Sequence, residues 1–286
     1  MRVLTILAAA IALMAAAPAA RAADWRDQGA RSLIITYQVA PADRPAFRAA
    51  VRRSTLPRLD GLRSAGELTS YHVLMSRYVD SAGWDMMAIL NFRSAEDLAH
   101  WRSIETMAPA GLDPQASRLV RGIASAPADP ARTGASRSAS GEAPVYLVVP
   151  YDYLVSTDDY LTYVDGYLLP QVNGWMDAGA LGAYGVYLAR YYPGRPWSSM
   201  LLLEYRGDAG LARRDAVVKA VRASLAASPE WKKIADNKST VRVEKLAVVA
   251  DELLPEPAPR LVHKGRRDTP GARSEPGRGR PYLHTP

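Results

Sequence analysis

Two side chains on predicted strands are of types that move protons in enzymes, the imidazole of His72 and the carboxyl group of Glu204. Histidine changes charge near neutral pH, so His72 could serve as a general base or as a haem ligand. A buried Glu204 could act as an acid or a base. Each residue also has a structural interpretation: His72 as an inert, hydrogen-bonded histidine near a strand end, and Glu204 as a solvated carboxylate near a cavity mouth. The sequence leaves both interpretations open.

Around these two candidates we predict a set of inward-facing, ligand-binding side chains. Successive side chains of a strand point to opposite faces of the sheet, and here the more polar set differs most between two matching segments of the chain. Aliphatic side chains with a few polar groups are typical of a small-molecule pocket, and equally of a plain interface between sheets. The predicted lining residues are Gln38, Asp85, Met87, Asn91, Tyr151, Tyr187 and Met200.

Composition excludes several other kinds of site. The chain has no cysteine, so disulfides, thiolate metal sites and cysteine nucleophiles are excluded, and its four histidines lack metal-ligand spacing. The net charge of +7 comes mostly from the ends, since residues 1–22 carry +2 and 255–286 carry +4, which leaves +1 for 23–254. A nearly neutral body argues against a nucleic-acid partner.

The elements that must position these residues occur twice. Residues 56–98 align without a gap on 169–211, and fifteen of the 43 positions are identical. Each copy has the pattern of a β-α-β-β-α-β unit, whose helices cover one face of a sheet. The two bare faces are expected to pack on each other. The predicted fold class is therefore α+β, with two fused ferredoxin-like units forming a pseudo-dimeric α/β barrel.

Five segments follow from this pattern and from the composition of the ends. Residues 1–22 have the charged, apolar and small-residue regions of a signal peptide, so we expect an exported protein, periplasmic or secreted. The first unit spans 30–125, a linker 126–143 and the second unit 144–254. Residues 255–286 form a basic Pro/Gly/Arg-rich tail that cannot bury enough surface to order itself. This tail is either dispensable or a weak contact for an anionic surface.

Three pairs of residues recur at matching positions of the two copies. Pro57 and Pro170 predict a kink or break in the first helix of each unit. Arg77 and Arg190 end the second strands, and their recurrence favours a structural role at the sheet edge over an anion-binding role. The third pair, Trp84 and Trp197, is expected on the helix side of the sheet as core anchors.

The second unit resembles a known family. Leu169-Pro170, the strand from Trp197 to Tyr205 and the segment Arg222-Ala-Ser-Leu-Ala-Ala-Ser-Pro-Glu-Trp231 are similar to the NIPSNAP-type branch of the dimeric α/β-barrel superfamily. The resemblance covers nearly all of the second unit and, more loosely, the first. It implies the fold, whereas members include small-ligand binders, haem-degrading and antibiotic-biosynthesis monooxygenases, isomerases and proteins of no known activity.

The main functional expectation is a protein that binds a small apolar or aromatic ligand between the two sheets, with little or no catalysis and no cofactor. One alternative is a cofactor-independent or haem-using monooxygenase or isomerase in which His72 or Glu204 transfers a proton. A second alternative is an interaction scaffold whose tail and outer sheet edges recruit partners. No transmembrane segment is expected, and the fused units would form a monomeric pseudo-dimer or a larger assembly.

Overall fold

Nine antiparallel strands form one sheet in the computed structural model, which describes residues 25–137 and 141–255. Around the barrel the order is β4-β1-β3-β2-β9-β5-β7-β6, and β6 pairs with β4 to close it. The short β8 pairs with the end of β5. The strands are β1 Ser32–Val39, β2 Leu68–Ser76, β3 Met86–Phe92, β4 Val120–Ala135, β5 Val145–Tyr153, β6 Leu181–Ala189, β7 Ser199–Tyr205, β8 Arg242–Glu244 and β9 Val248–Glu252.

The predicted fold class is confirmed, because each half of the barrel is one β-α-β-β-α-β unit. The first unit contributes the order β4-β1-β3-β2, and the second contributes the matching order β9-β5-β7-β6. The units join where β2 pairs with β9 and where β4 pairs with β6. A closed barrel leaves no long unpaired sheet edge, which removes the usual route to edge-to-edge aggregation.

Helices cover the outer face of each half. The first unit has α1 Arg44–Ala50, α2 Leu56–Ser64, α3 Ala95–Met107 and α4 Pro114–Ser117. The second has α5 Thr157–Tyr163, α6 Leu169–Asp177, α7 Gly207–Ala212, α8 Arg214–Leu225, α9 Pro229–Asp236 and α10 Lys238–Val241. Short 3₁₀ turns occupy Trp25–Gln28, Pro41–Asp43 and Pro109–Gly111. Within the described residues no helix is long and apolar enough to span a bilayer.

The recurrent prolines mark a widened helical turn in both units. Pro57 and Pro170 are the second residues of α2 and α6, and the π-helical turns Val51–Thr55 and Val164–Leu168 come directly before them. Proline has no N–H to donate and its ring crowds the preceding turn, so a wider turn accommodates it without ending the helix. The predicted irregularity is therefore present as a π-helical turn.

Three apolar cores hold the barrel together. One lies between the first half of the sheet and its helices, with Phe47 and Leu56 fully buried, and a second lies under the helices of the other half. The third draws side chains from all eight barrel strands, including Ile34, Leu74 and Met200, so it fills the interior of the barrel. This interior core divides the barrel lengthwise into two ends.

A row of stacked aromatic rings fixes the helices of the second unit. Tyr153, Tyr160, Tyr163, Tyr167 and Trp231 follow one another with ring centroids 4.7, 6.0, 5.1 and 5.2 Å apart. The Trp231 indole N–H donates to the backbone carbonyl of Tyr167 at 3.2 Å. Offset aromatic pairs add to the burial of their large surfaces. The Ser-Pro-Glu-Trp part of the family-like segment thus has a structural task here, since Ser228 caps α9 and Trp231 anchors it.

Two arginine–aspartate pairs join the halves of the barrel. Arg77 at the end of β2 binds both carboxylate oxygens of Asp251 on β9, at 3.2 and 2.6 Å. Arg190 after β6 binds both oxygens of Asp129 on β4, at 2.7 and 3.2 Å. The recurrence of the arginines is explained by the pseudo-two-fold arrangement, in which each one reaches across a junction between units.

Part of the predicted linker is a strand. β4 continues through Ala135, so residues 126–135 of the predicted linker 126–143 are part of the barrel. The alanine, serine and proline content of this segment suggested a linker. In the structure, small residues are needed because β4 packs closely against β6, where a Cβ on Gly134 would lie 2.4 Å from the Tyr184 ring. The predicted signal peptide and the tail from residue 256 onward lie outside the described residues, and so does any contact of that tail with a surface or a partner.

Candidate functional site

Two cavities open into the barrel at its opposite ends. The first, which we call the His72 cavity, has a volume of about 330 Å³, and its polar lining includes Ser70, His72, Asn91, Tyr187 and Glu204. The second, which we call the tryptophan cavity, has a volume of about 380 Å³ and lies at the other ends of the same strands, between Trp84 and Trp197. The buried side chains of the interior core separate the two.

The imidazole of His72, which can accept and donate protons, forms part of the wall of the His72 cavity. His72 Nδ1 is 3.0 Å from Glu252 Oε1, and the two side chains are 25% and 20% exposed. Because a carboxylate can only accept, this contact places the proton of neutral His72 on Nδ1. Nε2 is then the basic nitrogen, and the described part of the chain offers it no hydrogen-bond partner. The pair has the arrangement of a general base held in one tautomer by a carboxylate.

The phenol of Tyr146 connects this pair to Glu204. Its oxygen lies 3.0 Å from Glu252 Oε2, 3.3 Å from Glu204 Oε2 and 3.4 Å from His72 Nδ1. Burial raises the pKa of Tyr146 far above its ordinary value, and the charges of Glu252 and Glu204 raise it further. The phenol therefore stays protonated and acts as a hydrogen-bond donor between two carboxyl groups.

Asn91 organises the other side of the same cavity. Its carbonyl oxygen accepts a hydrogen bond from Ser32 at 2.7 Å, and its amide nitrogen lies 3.0 Å from the hydroxyl of Ser70 and 3.4 Å from that of Tyr187. Burial raises the pKa of Tyr187, so its hydroxyl keeps its proton. The hydroxyls of Ser70 and Tyr187 accept from Asn91, so each keeps its own hydrogen to donate to a ligand oxygen that enters the cavity.

The strand register explains why these residues meet. β2, β9, β5 and β7 are neighbours in the barrel and contribute His72, Glu252, Tyr146 and Glu204 in that order. Tyr146 lies directly opposite Glu204 in the β5–β7 ladder. Side chains directly opposite on one face have Cβ atoms about 5 Å apart, so the phenol of Tyr146 and the carboxyl group of Glu204 lie within reach of each other.

The two halves differ most at this site, and the difference opens the cavity. Gly185 of the second unit occupies the position of His72 in the first. A Cβ at Gly185 would lie 2.8 Å from the ring of Tyr187, so the aromatic ring lies where a side chain would otherwise be. One half thus supplies the base, while the other supplies space and an aromatic wall.

Four of the nine predicted site residues line the His72 cavity: His72, Asn91, Tyr187 and Glu204. Gln38 and Met87 line the tryptophan cavity instead. Met200 is fully buried in the interior core between the cavities. The structure therefore distributes the predicted single ligand site over two ends of the barrel.

Two predicted lining residues lie outside both cavities. Asp85 precedes β3, where its carboxylate accepts the backbone N–H of Val39 at 2.7 Å and pairs with Arg44 at 3.2 Å. Its role is to hold the end of β1, and Ser198 does the same in the second unit by accepting the N–H of Tyr153. The prediction of Asp85 as a ligand-binding residue is corrected accordingly.

The prediction for Tyr151 fails because of a one-residue slip. The ring of Tyr151 lies on the helix side, 3.9 Å from the guanidinium carbon of Arg242. The second and third strands of the two units are related by an offset of 113 residues, and the same offset applied to the first strands predicts that Tyr151 faces inward. Between β1 and β5, however, the offset is one residue longer. Since the side-chain period of a strand is two, that shift exchanges its faces. Tyr146 and Val148 point inward instead.

The sequence interpretation missed Tyr146 and Glu252 for different reasons. Tyr146 was assigned to the wrong face by the same slip. Glu252 is a glutamate near the end of the second unit, and no local pattern distinguishes it from a solvated one. Only the pairing of β9 with both β2 and β5 brings its carboxylate to His72.

The barrel can be compared with solved structures, although neither a protein-family model nor a curated protein sequence matches the chain. It is similar to a proposed monooxygenase from Lactobacillus acidophilus, with a TM-score of 0.51 and 14% identity over 79% of this chain and 95% of that one. It is also similar to a proposed monooxygenase from Fusobacterium nucleatum, with a TM-score of 0.53 and 10% identity over 79% and 94% of the two chains. The fold is that of the dimeric α/β barrels.

These findings correct the main functional expectation. The sequence predicted a binder with little or no catalysis, whereas the solved structures that share the fold are named for an enzymatic activity. At such low identity the likeness shows the fold alone, so the reaction must be inferred from the residues of the site.

Haem, which one alternative allowed, does not fit the described cavities. His72 has the donor arrangement of an axial ligand, because Glu252 holds Nδ1 and leaves Nε2 available. The His72 cavity has a volume of about 330 Å³, at the low end of the ~300–1,000 Å³ typical of ligand pockets, so it suits a ligand smaller than a porphyrin. In residues 25–137 and 141–255, no group of three histidine or carboxylate side chains could hold a metal ion.

Proposed function

We propose that this protein is an enzyme that removes a proton from a small carbon acid bound in the His72 cavity, as the first step of a cofactor-independent oxygenation or isomerisation. The observation that carries the proposal is the contact between His72 Nδ1 and Glu252 beside a cavity wall with hydrogen-bond donors. Other neutral histidines can be inert, but this one has a held tautomer, a free basic nitrogen and an adjacent cavity.

His72 is the proposed general base. Its Nε2 takes a proton from a carbon next to a carbonyl group, and the imidazolium that forms is stabilised by the carboxylate of Glu252. The carbonyl oxygen of the substrate becomes an enolate, to which the hydroxyls of Ser70 and Tyr187 would donate hydrogen bonds. Donors fixed in place before the reaction stabilise this developing charge without reorganisation.

Glu204 and Tyr146 serve the return of a proton. The phenol has one hydrogen, and the shorter contact assigns it to Glu252. Glu204 lines the cavity, and after taking up a proton from water its carboxyl group delivers that proton to the substrate. In an isomerisation the proton returns to a different carbon. In an oxygenation, dioxygen takes the electrons of the carbanion, one oxygen atom becomes a new carbonyl and the other leaves as water with the two hydrogens lost from carbon.

The cavity limits the substrate to a small, partly apolar molecule. About 330 Å³ suits a compound of one or two rings, and the walls combine Leu202 and aromatic rings with a few polar groups. Cyclic ketones with a benzylic C–H have this size and carry a weakly acidic C–H next to a carbonyl group. We therefore propose this chemical class for the substrate.

Exchange of carbon-bound hydrogen in heavy water tests the proposed step without knowledge of the product. The protein is incubated in D₂O with 2-tetralone or 2-indanone, and deuterium incorporation is followed by mass spectrometry. We expect exchange above the buffer rate, and His72→Gln should lower it by about 10²-fold or more. Oxygen consumption in the same samples separates an oxygenase from an isomerase.

Matched variants make the test specific. His100→Gln replaces an exposed histidine of α3 and should leave exchange unchanged. Glu252→Gln should lower exchange because the amide no longer stabilises the imidazolium, whereas folding, checked by circular dichroism, should persist. Equal exchange in wild type and His72→Gln would contradict the proposal, as would activity that appears only after haem is added.

We further propose that the chain is exported and related to the NIPSNAP-type branch. The support is the signal-like composition of residues 1–22 and the segment that ends at Trp231. N-terminal sequencing of the protein from its native cells should begin at Ala23. A mature protein that retains residues 1–22 would argue against cleavage of a signal peptide.

A further inference from the structure

The end of the barrel opposite His72 has features of a second site. Trp84 and Trp197 occupy matching positions of the two units, and both line the tryptophan cavity. The sequence predicted them as core anchors on the helix side, but Trp197 belongs to the interior core and Trp84 packs against it. The strands begin at Met86 and Ser199, so each indole precedes its strand and turns into the barrel mouth.

This cavity is separate from the His72 cavity. Met87 lines the tryptophan cavity and Asn91 lines the His72 cavity, four residues apart on β3, which is about 13 Å along a strand. Ile89 and Met200, both fully buried, lie in the interior core between them. A single small ligand cannot occupy both cavities.

The walls combine aromatic surface with one weakly engaged hydrogen-bond donor, the amide of Gln38. Among the described residues Trp84 Nε1 is buried and has no hydrogen-bond partner. The amide nitrogen of Gln38 has only a 3.4 Å contact with the carbonyl of Gly83. The Trp84 N–H is closed to solvent, so a ligand in the cavity meets the face or edge of the Trp84 ring, and the exposed amide of Gln38 is the donor within its reach. At the rim, Ile123 and Leu246 are each 46% exposed and extend the apolar surface.

The charge at the mouth is already neutralised. Lys245 lines the cavity, but its ammonium group pairs with Asp152 at 2.6 Å and donates to the carbonyl of Pro196 at 2.6 Å. An anionic ligand would have to displace this carboxylate to use the lysine. An uncharged ligand does not meet that cost.

We propose that the tryptophan cavity binds an uncharged, planar aromatic molecule that carries a carbonyl oxygen. The two indoles provide the faces or edges against which a flat ring packs, and the side-chain amide of Gln38 donates to a ligand oxygen. The volume of about 380 Å³ matches a compound of two fused rings. This site takes its ligand independently of proton transfer at His72.

Binding of 2-acetonaphthone, measured by isothermal titration calorimetry on the mature chain, tests the proposal. Trp84→Leu removes a half-buried ring and should weaken binding by about tenfold or more. Ala124→Phe places a ring at an exposed position of the cavity mouth, opposite Thr36 on β1, and should block binding while leaving the core intact. Arg121→Phe, an exposed position on the same strand, is the matched control and should bind like wild type.

Two comparisons decide between this site and the other cavity. His72→Gln should bind 2-acetonaphthone unchanged, and both 2-naphthoate and cyclohexyl methyl ketone should bind more weakly than the aryl ketone. Loss of binding in His72→Gln would place the probe in the His72 cavity and overturn the proposal. Equal affinity for all three compounds, or wild-type affinity in Ala124→Phe, would overturn it as well.

Discussion

Replacing Arg190 with methionine should destabilise the barrel much more than the same change at Arg77. Both arginines hold an aspartate of the other unit with two hydrogen bonds. The environments differ, because the side chain of Asp129 is 5% exposed whereas that of Asp251 is 48% exposed. Methionine retains most of the apolar stem, so the loss is chiefly that of the charge.

The expected magnitudes follow from that exposure. Removing one partner of a buried ion pair costs about 3–5 kcal/mol, and the low end applies here because Asp129 would keep the charge of Arg31, with which it forms no hydrogen-bonded pair. An exposed pair contributes about 0.2–1 kcal/mol. Arg190→Met should therefore lower the free energy of unfolding by about 3 kcal/mol, and Arg77→Met by less than about 1 kcal/mol.

The deficit of Arg190→Met should also depend on pH. Burial raises the pKa of Asp129, and the guanidinium of Arg190 offsets part of that increase. Without the arginine the folded-state pKa rises further above the unfolded value, so the folded state binds the proton more tightly. The variant should regain stability relative to wild type as the pH falls through the raised pKa, and the deficit should be largest well above it.

Urea unfolding followed by tryptophan fluorescence at several pH values measures both effects. Equal losses for the two variants would refute the reasoning, because burial would then not control the contribution of the pair. A deficit that grows as the pH falls would refute the assigned cause of the pKa shift. Arg77→Met serves as the control for any general effect of removing a junction arginine.

Three further stability predictions use the same unfolding assay. Tyr37→Phe removes the hydroxyl that donates to the Ala110 carbonyl at 2.6 Å. The buried carbonyl oxygen of Ala110 then has no donor, so the free energy of unfolding should fall by about 1–3 kcal/mol. Within one helix region, Gly61→Ala should stabilise by about 0.5 kcal/mol because nothing lies within 4 Å of the added carbon, whereas Gly66→Ala, at φ +78°, should destabilise by about 1 kcal/mol. Asp85→Ala should cost about 3 kcal/mol, since it removes both the acceptor for the end of β1 and the counter-charge of a buried arginine. The opposite sign for either glycine, or a neutral result for either of the other variants, would contradict these expectations.

Much of the fold could be predicted because its signals are local or repeated. Alternation in β2, β3, β6 and β7 assigned His72, Asn91, Tyr187 and Glu204 to the interior, where the structure has them. Pro57 and Pro170 marked the helices that contain a π-helical turn. These features depend on neighbours within a few residues, so they remain visible without tertiary contacts.

The assignments failed where apolar residues occupy both faces of a strand. In β5, every residue from Val145 to Val149 is apolar, so alternation could not detect the one-residue shift that turns Tyr146 inward and Tyr151 outward. The indoles of Trp84 and Trp197 were misassigned for a related reason. They precede regular strand geometry, where the two-residue period no longer applies.

The sequence by itself determined that two similar β-α-β-β-α-β units share one chain without cysteine, because spacing and composition do not depend on contacts. Only the tertiary structure decided that β9 lies between β2 and β5, which brings Glu252 to His72 from 180 residues away. It also decided that the interior core divides the barrel into two cavities. A site assembled from four strands depends on register and closure, and these are settled by the packing of the whole barrel at once.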